Sequence, residues 1–167
     1  MVVPSPPHRG SNATTRLNHI HLCSGLLQRA ERILLVASAY PNHSSPLWNL
    51  PGGRQDEGEL LTAALQREFA EETGLKISVG ELLFVSESYD GGTHFTNATF
   101  HVASDGEPQL PQEDAHVVAV EWVPLAEIED RLTVRVVREP LRAYLRGEAA
   151  WRYFGYADAG ISIVFAD

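Results

Sequence analysis

The chain has little positive charge and almost no lysine. Its 167 residues include 13 lysines and arginines against 22 aspartates and glutamates, a formal net charge of −9, and Lys76 is the one lysine. A protein that binds a nucleic-acid polymer needs a basic stripe that displaces counterions from the phosphates. No such stripe is visible, so we expect no nucleic-acid polymer as a partner. An acidic chain can still bind a small phosphorylated ligand when a divalent cation bridges the like charges.

The chain also lacks a second cysteine and a long apolar run. Cys23 is the single cysteine, which excludes an internal disulfide and is typical of a reducing cytoplasm. No window reaches the roughly 18 apolar residues of a membrane helix, so we expect no membrane partner. Residues 1–15 are rich in Pro, Ser, Thr and Asn and lack the apolar core of a signal peptide. The sequence therefore predicts a cytoplasmic protein with a flexible tail at 1–15 and one globular domain at 16–167.

Hydrophobic periodicity predicts alternating strands and helices in this domain. Strands are predicted at 16–27, 32–40, 81–89, 94–103, 116–123 and 160–165. A central helix is predicted over 59–73, ending at Gly74, with two short helices near 125–131 and 138–147. The segments 41–58 and 104–115 are predicted loops. This order of elements predicts an α/β or α+β sandwich.

Three glutamates lie on the apolar side of the predicted central helix. At about 100° per residue, Glu68, Glu71 and Glu72 fall in the sector defined by its apolar side chains, Leu60, Leu61, Ala64, Leu65 and Phe69. Burial of an unpaired carboxylate is costly. A divalent cation such as Mg²⁺ or Mn²⁺ offsets that cost, because clustered carboxylate oxygens are hard ligands. The alternative is a solvated acidic end of an ordinary helix.

The residues around these glutamates resemble the Nudix hydrolase superfamily. Its signature is G-x5-E-x7-R-E-U-x-E-E-x-G-U, with U a bulky apolar residue, and every fixed position is filled, by Gly53, Glu59, Arg67, Glu68, Phe69, Glu71, Glu72, Gly74 and Leu75. The resemblance implies an α/β/α sandwich around a mixed β-sheet. It also implies metal-dependent hydrolysis of a diphosphate bond in a nucleoside diphosphate linked to another moiety, with water attacking phosphorus. The substrate would be a nucleoside triphosphate or a nucleoside diphosphate sugar.

The resemblance implies a role for each residue of the motif. Glu68, Glu71 and Glu72 would be catalytic and would hold Mg²⁺ or Mn²⁺, to which Gly53 would offer its backbone carbonyl. The remaining polar and glycine positions are expected to be structural, with a charge pair that braces the catalytic glutamates: Glu59, Arg67 and Gly74. Simple surface pairing is the alternative for the two charged residues.

Several family members carry an additional acidic residue beyond the motif. Glu121 is the first choice for a catalytic role because it lies in a predicted strand, which positions a side chain more firmly than a loop. Glu113 and Asp114, in the loop 104–115, are the other candidates. For each of them the alternative is an ordinary surface carboxylate.

Candidate substrate contacts lie on both sides of the motif. Arg54 directly follows the glycine pair at 52–53 and is well placed to contact a diphosphate, while Trp48 and Tyr89 are candidates for base or sugar contacts. Further candidates of the same kinds are His94, Phe95 and Arg16. Core packing is the alternative for the aromatic residues. His19 and His21 share one face of the first strand, a spacing that can bind a metal, but no third ligand is apparent.

Two other functional classes remain open at this level. One is a non-catalytic nucleotide-binding or regulatory module of the same fold, and the other is an enzyme of different chemistry, such as an isomerase. Such relatives depart from the motif, so the intact glutamate set argues against both. Many relatives dimerise, and the aromatic segment 151–156 is a candidate homodimer surface or a cover for the core.

Overall fold

The computed structural model describes residues 17–113 and 116–165. The elements in these ranges are β1 (Asn18–Leu26), β2 (Gln28–Arg29), β3 (Arg32–Ser38), β4 (Leu47–Asn49), β5 (Gly52–Arg54), α1 (Leu61–Thr73), β6 (Ser78–Asp90), β7 (Thr93–Ala103), β8 (Val117–Pro124), α2 (Ile128–Arg131), α3 (Arg135–Leu145) and β9 (Tyr153–Tyr156). A short 3-10 turn, Leu125–Glu127, leads into α2. The predicted tail at 1–15 and the candidates Arg16 and Asp114 lie outside the described residues.

The strands form two sheets. The first has five strands in the order β5-β1-β7-β6-β9. It is mixed, because β1 runs parallel to β7 and β9 parallel to β6, whereas the pairs β1–β5 and β6–β7 are antiparallel. The second sheet joins β2, β3 and β4, and β8 pairs antiparallel with β3.

Helices cover both sides of these sheets. On β3 the neighbours Leu34 and Leu35 are both fully buried but belong to different clusters, because successive side chains of a strand point to opposite faces. Leu34 packs in one cluster with Ala64, Leu65 and Phe69 of α1. Leu35 packs in the other with Ile128, Leu132 and Leu141 from α2, α3 and the turn between them. The predicted α/β/α sandwich around a mixed β-sheet is confirmed.

The central helix agrees with its prediction except at its first turn. Leu60 has an extended backbone and precedes α1 as its N-cap residue, and it is 75% exposed. The prediction that Leu60 belongs to the apolar sector of the helix is therefore wrong. Gly74 ends the helix in the left-handed conformation, with φ of 71°, and donates its N–H to the carbonyl of Ala70. This C-cap is the geometry that favours glycine.

The strand predicted at 160–165 is wrong. The sheet strand of this region is β9, at Tyr153–Tyr156. Gly160 turns the chain with φ of 73°, and the segment that follows hydrogen-bonds to side chains of the loop at 41–46 rather than to a neighbouring strand. That loop region was also predicted too simply, because 41–58 contains the short strands β4 and β5.

No helix within residues 17–113 and 116–165 has the length and apolar character needed to cross a membrane.

Candidate active site

The loop of the motif lies directly against the last two turns of α1. Its strand β5 pairs with β1, which sets Gly53 opposite Cys23 and Gly52 opposite Ser24. The carboxylate of Glu72 is buried, at 8% exposure, and its Oε2 accepts a hydrogen bond of 2.9 Å from the backbone N–H of Gly52. This hydrogen bond joins the loop to the helix at Glu72, the last glutamate of the motif.

Arg67 connects the carboxylates of the motif. Its Nε and Nη2 donate to the two oxygens of Glu59 at 2.8 and 3.0 Å. Its Nη1 lies 3.0 Å from Oε1 of Glu68 and 3.3 Å from Oε2 of Glu71, and Nη2 also donates to the carbonyl of Arg54 at 2.9 Å. The bidentate contact between Arg67 and Glu59 is stronger and more directional than an ordinary surface ion pair. Arg67 thus fixes both the loop and two glutamates of the helix.

The electrostatics of the motif differ from one carboxylate to the next. The hydrogen bonds from Arg67 lower the pKa of Glu59 from 4.5 to about 2. Burial raises the pKa of Glu68, an effect that the adjacent Arg67 guanidinium opposes. A nearby divalent cation would favour the charged form of such a buried carboxylate.

The helical wheel places all three glutamates in the apolar sector, but in the structure they are not equally buried. The side chain of Glu68 is 15% exposed and that of Glu71 is 53% exposed, whereas Glu72 is buried. Across 17–113 and 116–165, no three His, Cys, Asp or Glu side chains are grouped so that they would hold a metal ion. The donor set still fits a hard divalent cation, because Glu68, Glu72 and the carbonyl of Gly53 present only oxygen. Position 53 also has no room for a β-carbon beside the Glu68 carboxylate.

A cavity of about 460 Å³ opens beside these residues. Glu68, Glu72 and Gly53 are among its lining residues, and the small polar side chains of Ser86, Ser88 and Asn97 line it from β6 and β7. Ligand pockets in proteins span roughly 300–1,000 Å³, so the cavity has the size of a nucleotide site. Sequence reasoning missed these polar residues, although the alternation of Ser86 and Ser88 with Glu87 indicates one face of a strand.

Two of the three predicted substrate contacts line the cavity. Trp48 and Arg54 are at its wall, and each is in contact with a further side chain. The Arg54 guanidinium lies 4.3 Å from the ring centre of Phe165, and the Arg131 guanidinium lies 4.5 Å from that of Trp48. Phe95, a further candidate, also lines the cavity.

Tyr89 is not among the lining residues. Its neighbours Ser88 and Asp90 face the cavity, so Tyr89 lies on the other face of β6, where it stacks on His94 at 4.4 Å. His94 also contacts Glu87 at 2.8 Å and His19 at 3.1 Å. A group of candidates thus lies on the sheet face away from the cavity: Tyr89, His94 and His19. Tyr89 is therefore not a substrate contact of the proposed site.

The structure separates the candidates for the additional carboxylate. Val120 and Trp122 of β8 pack toward α1, so Glu121 between them points to the opposite face, where it pairs with Arg131 at 2.8 Å. Glu113 instead shares a shallow groove with Glu71. Glu113, and not Glu121, is therefore the described candidate that lies beside a glutamate of the motif.

Comparisons with known proteins agree with the fold and with the resemblance of the motif. A family model described as NUDIX domain matches residues 21–145. A Mycobacterium tuberculosis protein, named provisionally as 8-oxo-dGTP diphosphatase 2, is 32% identical over 117 residues, which are 68% of this chain and 79% of that protein. Nudix hydrolase 6 of Arabidopsis thaliana is 28% identical over 107 residues, 61% of this chain and 38% of that protein.

Solved structures share the fold. The solution structure of the E. coli ORF135 protein superposes with a TM-score of 0.67 at 24% identity, covering 81% of this chain and 94% of that one. The MutT protein of Methanosarcina mazei Go1 gives 0.67 at 20% identity, with 78% and 96% covered.

The matched fold and motif define a hydrolase that acts on acid anhydrides. The chain belongs to the Nudix family, and the prediction that it is a Nudix pyrophosphohydrolase is confirmed. Members of this family generally require a divalent metal.

Proposed function

We propose that the protein hydrolyses a diphosphate bond of a nucleoside triphosphate and releases a nucleoside monophosphate, with an oxidised purine nucleotide such as 8-oxo-dGTP as the first substrate to test. The observation that carries this proposal is the nucleotide-sized cavity that is lined by Glu68 and Glu72. The name of the Mycobacterium tuberculosis relative supports the choice of nucleotide. A nucleoside diphosphate sugar is the other substrate class to which the motif applies.

The motif residues that line the cavity would hold Mg²⁺ or Mn²⁺. Glu68 and Glu72 offer buried carboxylate oxygens, Gly53 offers its carbonyl, and Glu71 is the more exposed donor on the same helix. When bound, such a cation neutralises phosphate charge and lowers the pKa of water. Buried oxygen donors and anionic phosphates repel one another without it, which explains how an acidic site can bind an acidic substrate.

The remaining site residues have positioning and binding roles in this proposal. Arg54 would contact the phosphates, since its guanidinium lies at the cavity wall beside the loop. Trp48 would contact the base or sugar through its ring. Arg67 contacts Glu59, Glu68 and the Arg54 carbonyl at once, so it would keep the carboxylates and the loop in one geometry. Glu113, beside Glu71, is a candidate acceptor for the proton of the attacking water.

A nucleotide panel with Mg²⁺ or Mn²⁺ tests the proposal. We expect release of a nucleoside monophosphate from at least one nucleoside triphosphate or nucleoside diphosphate sugar, and loss of that activity in Glu72→Gln. Glutamine keeps an acceptor for the Gly52 N–H, so the variant should fold. Glu81→Gln, at an exposed position of β6, is the matched control and should retain activity.

The possible outcomes separate the functional classes. Absence of turnover across the panel would favour a non-catalytic nucleotide-binding module. Full activity of Glu72→Gln would show that chemistry occurs elsewhere. Hydrolysis in ¹⁸O-labelled water then identifies which phosphorus is attacked, because the label remains on the product that received the water.

A further inference from the structure

The segment 161–165 forms part of the lining of the cavity, and its last residue contacts Arg54 beside the motif. Ile161, Ile163 and Phe165 line the cavity. The two isoleucines are partly buried and Phe165 is 40% exposed, whereas Ser162 and Val164 between them face outward and are exposed. This alternation is that of an extended strand, although the segment belongs to neither sheet. One face of the segment therefore covers the cavity with apolar side chains, and the other faces outward.

The side chain of Asn42 holds this segment in place. Its Nδ2 donates to the carbonyl of Ser162 at 2.7 Å, and its Oδ1 accepts from the N–H of Val164 at 2.9 Å. His43 adds a contact of 2.8 Å from Nε2 to the same Ser162 carbonyl. One side-chain amide thus makes the two hydrogen bonds that a neighbouring backbone would make in a sheet.

Phe165 connects the segment to Arg54, the residue that we propose contacts the phosphates. Its ring lies 4.3 Å from the Arg54 guanidinium and meets Tyr40 edge to face at 5.9 Å. A guanidinium over an aromatic ring is held by the ring quadrupole. Phe165 therefore orients the arginine that we place on the phosphates.

The part of the lining that the sheet contributes differs in character from this segment. Ser86, Ser88 and Asn97 line the cavity from the sheet, and Asn97 is already hydrogen-bonded to Ser24 at 3.1 Å. A lining of apolar side chains together with hydroxyl and amide groups suits a flat heteroaromatic ring, which offers apolar faces and polar edges. A sugar, which is polar all round, suits this slot less well.

We propose that residues 161–165 form the base-binding wall of the active site, with Ile161 and Ile163 against the face of a planar base. Asn42 and Phe165 are positioning residues, the first for the wall and the second for Arg54. This inference rests on the proposed function. The inference goes beyond the proposed function because it assigns base selection to residues 161–165, which lie outside the motif and far from it in sequence.

Variants of Asn42 test the proposal. Asn42→Ala removes both hydrogen bonds, and Asn42→Asp replaces the donor to the Ser162 carbonyl by an acceptor while keeping the shape. We expect KM for the preferred nucleotide to rise about tenfold in both, equivalent to about 1.4 kcal/mol of binding, while kcat changes less than twofold. Asn18→Ala and Asn18→Asp, at the exposed start of β1, are the matched controls and should leave KM unchanged.

Two further measurements report on the wall itself. Ile163→Asp places a charge against the base and should raise KM more than Asn42→Ala does. Phe165→Leu keeps an apolar side chain but loses the ring beside Arg54. Amide hydrogen exchange at Val164 should be faster in Asn42→Ala than in the wild type, because its acceptor is removed. A mere loss of stability would instead raise exchange throughout the sheets.

The outcomes for the wall and for the proposed function can be told apart. An active wild type with unchanged KM in the Asn42 and Ile163 variants overturns the wall and leaves the function standing. If the wild type hydrolyses no nucleotide, the proposed function fails. Calorimetric titration of wild type and Ile163→Asp with GTP and with ribose 5-phosphate then decides: weaker GTP binding in the variant supports the wall, and equal or absent GTP binding overturns it.

Discussion

A β-carbon built on Gly53 would lie 2.4 Å from the carboxyl carbon of Glu68 and 2.5 Å from both of its oxygens. Real β-carbons do not approach other atoms so closely. Any side chain at position 53 would therefore force the Glu68 carboxylate to move. The motif's first glycine and Glu68, which are 15 positions apart in the sequence, are in direct contact in the fold.

Gly53→Ala should therefore lower kcat by about 100-fold, because the added methyl group displaces the Glu68 carboxylate by about 1 Å. The assay is steady-state hydrolysis of the preferred nucleotide with Mg²⁺. Gly92→Ala is the matched control, since a β-carbon there meets nothing within 4 Å. Equal activity of the two variants would contradict the assigned position of Glu68.

Arg67→Lys should lower activity by about 10- to 100-fold, the usual effect of losing a group that orients metal ligands. Lysine keeps the charge but cannot reach Glu59, Glu68 and the Arg54 carbonyl together. The thermal melting temperature should also fall. Arg146→Lys is the control, because Arg146 pairs with Glu129 at exposed positions of the helical layer; a similar loss in both variants would mean that Arg67 has no special role.

The ionisation of Glu59 makes the free energy of unfolding depend on pH in the acidic range. Its pKa is lowered to about 2 by Arg67, from an ordinary value of 4.5, so the folded state favours the ionised form. The stabilisation is fully present above pH 4.5 and is lost as pH falls toward 2. The melting temperature of wild type should exceed that of Glu59→Gln above pH 4.5, and the two should converge near pH 2.

Glu57→Gln, at an exposed position of the same loop, serves as the comparison for this experiment. Its difference from wild type should not follow the same curve. A gap between wild type and Glu59→Gln that stays constant from pH 2 to pH 6 would contradict the paired state of Glu59.

Cys23 should be unreactive in the native protein. Its side chain is 1% exposed, and burial raises the pKa of its thiol to about 11, so roughly one molecule in a thousand is thiolate at pH 8. Labelling with a chromogenic disulfide at pH 8 should be slow in buffer and complete in guanidinium chloride. Fast labelling of one thiol per chain without denaturant would contradict the buried placement.

The sequence allowed the helix, the long strands and the chemistry to be predicted, because each is written in local periodicity or in fixed spacing. It was less informative about which face of a strand meets the cavity. Tyr89 and Glu121 lie on well-predicted strands, yet a difference of one residue moves a side chain to the other face. Both faces of these strands are covered in part, so apolar alternation does not reveal the orientation.

Residues 161–165 show a different limit. The alternation of Ile161, Ile163 and Phe165 correctly indicates an extended segment with one apolar face. It cannot indicate the partner, and here two of the hydrogen bonds come from the side chain of Asn42. A side-chain amide in a distant loop leaves no periodic signal, so a strand in the sheet was the natural but wrong prediction.

The position of β5 has a consequence for the order in which the protein folds. Among the strands of residues 17–113 and 116–165, β5 of the motif's loop pairs with β1 alone. β1 in turn runs parallel to β7, with His19 opposite His94. Pairs so distant in sequence close late, because chain entropy must be lost before the contact forms, whereas the adjacent strands β6 and β7 can form a hairpin early. We therefore expect the glycine loop to take its final shape among the last parts of the chain, so that catalytic competence arrives at the end of folding.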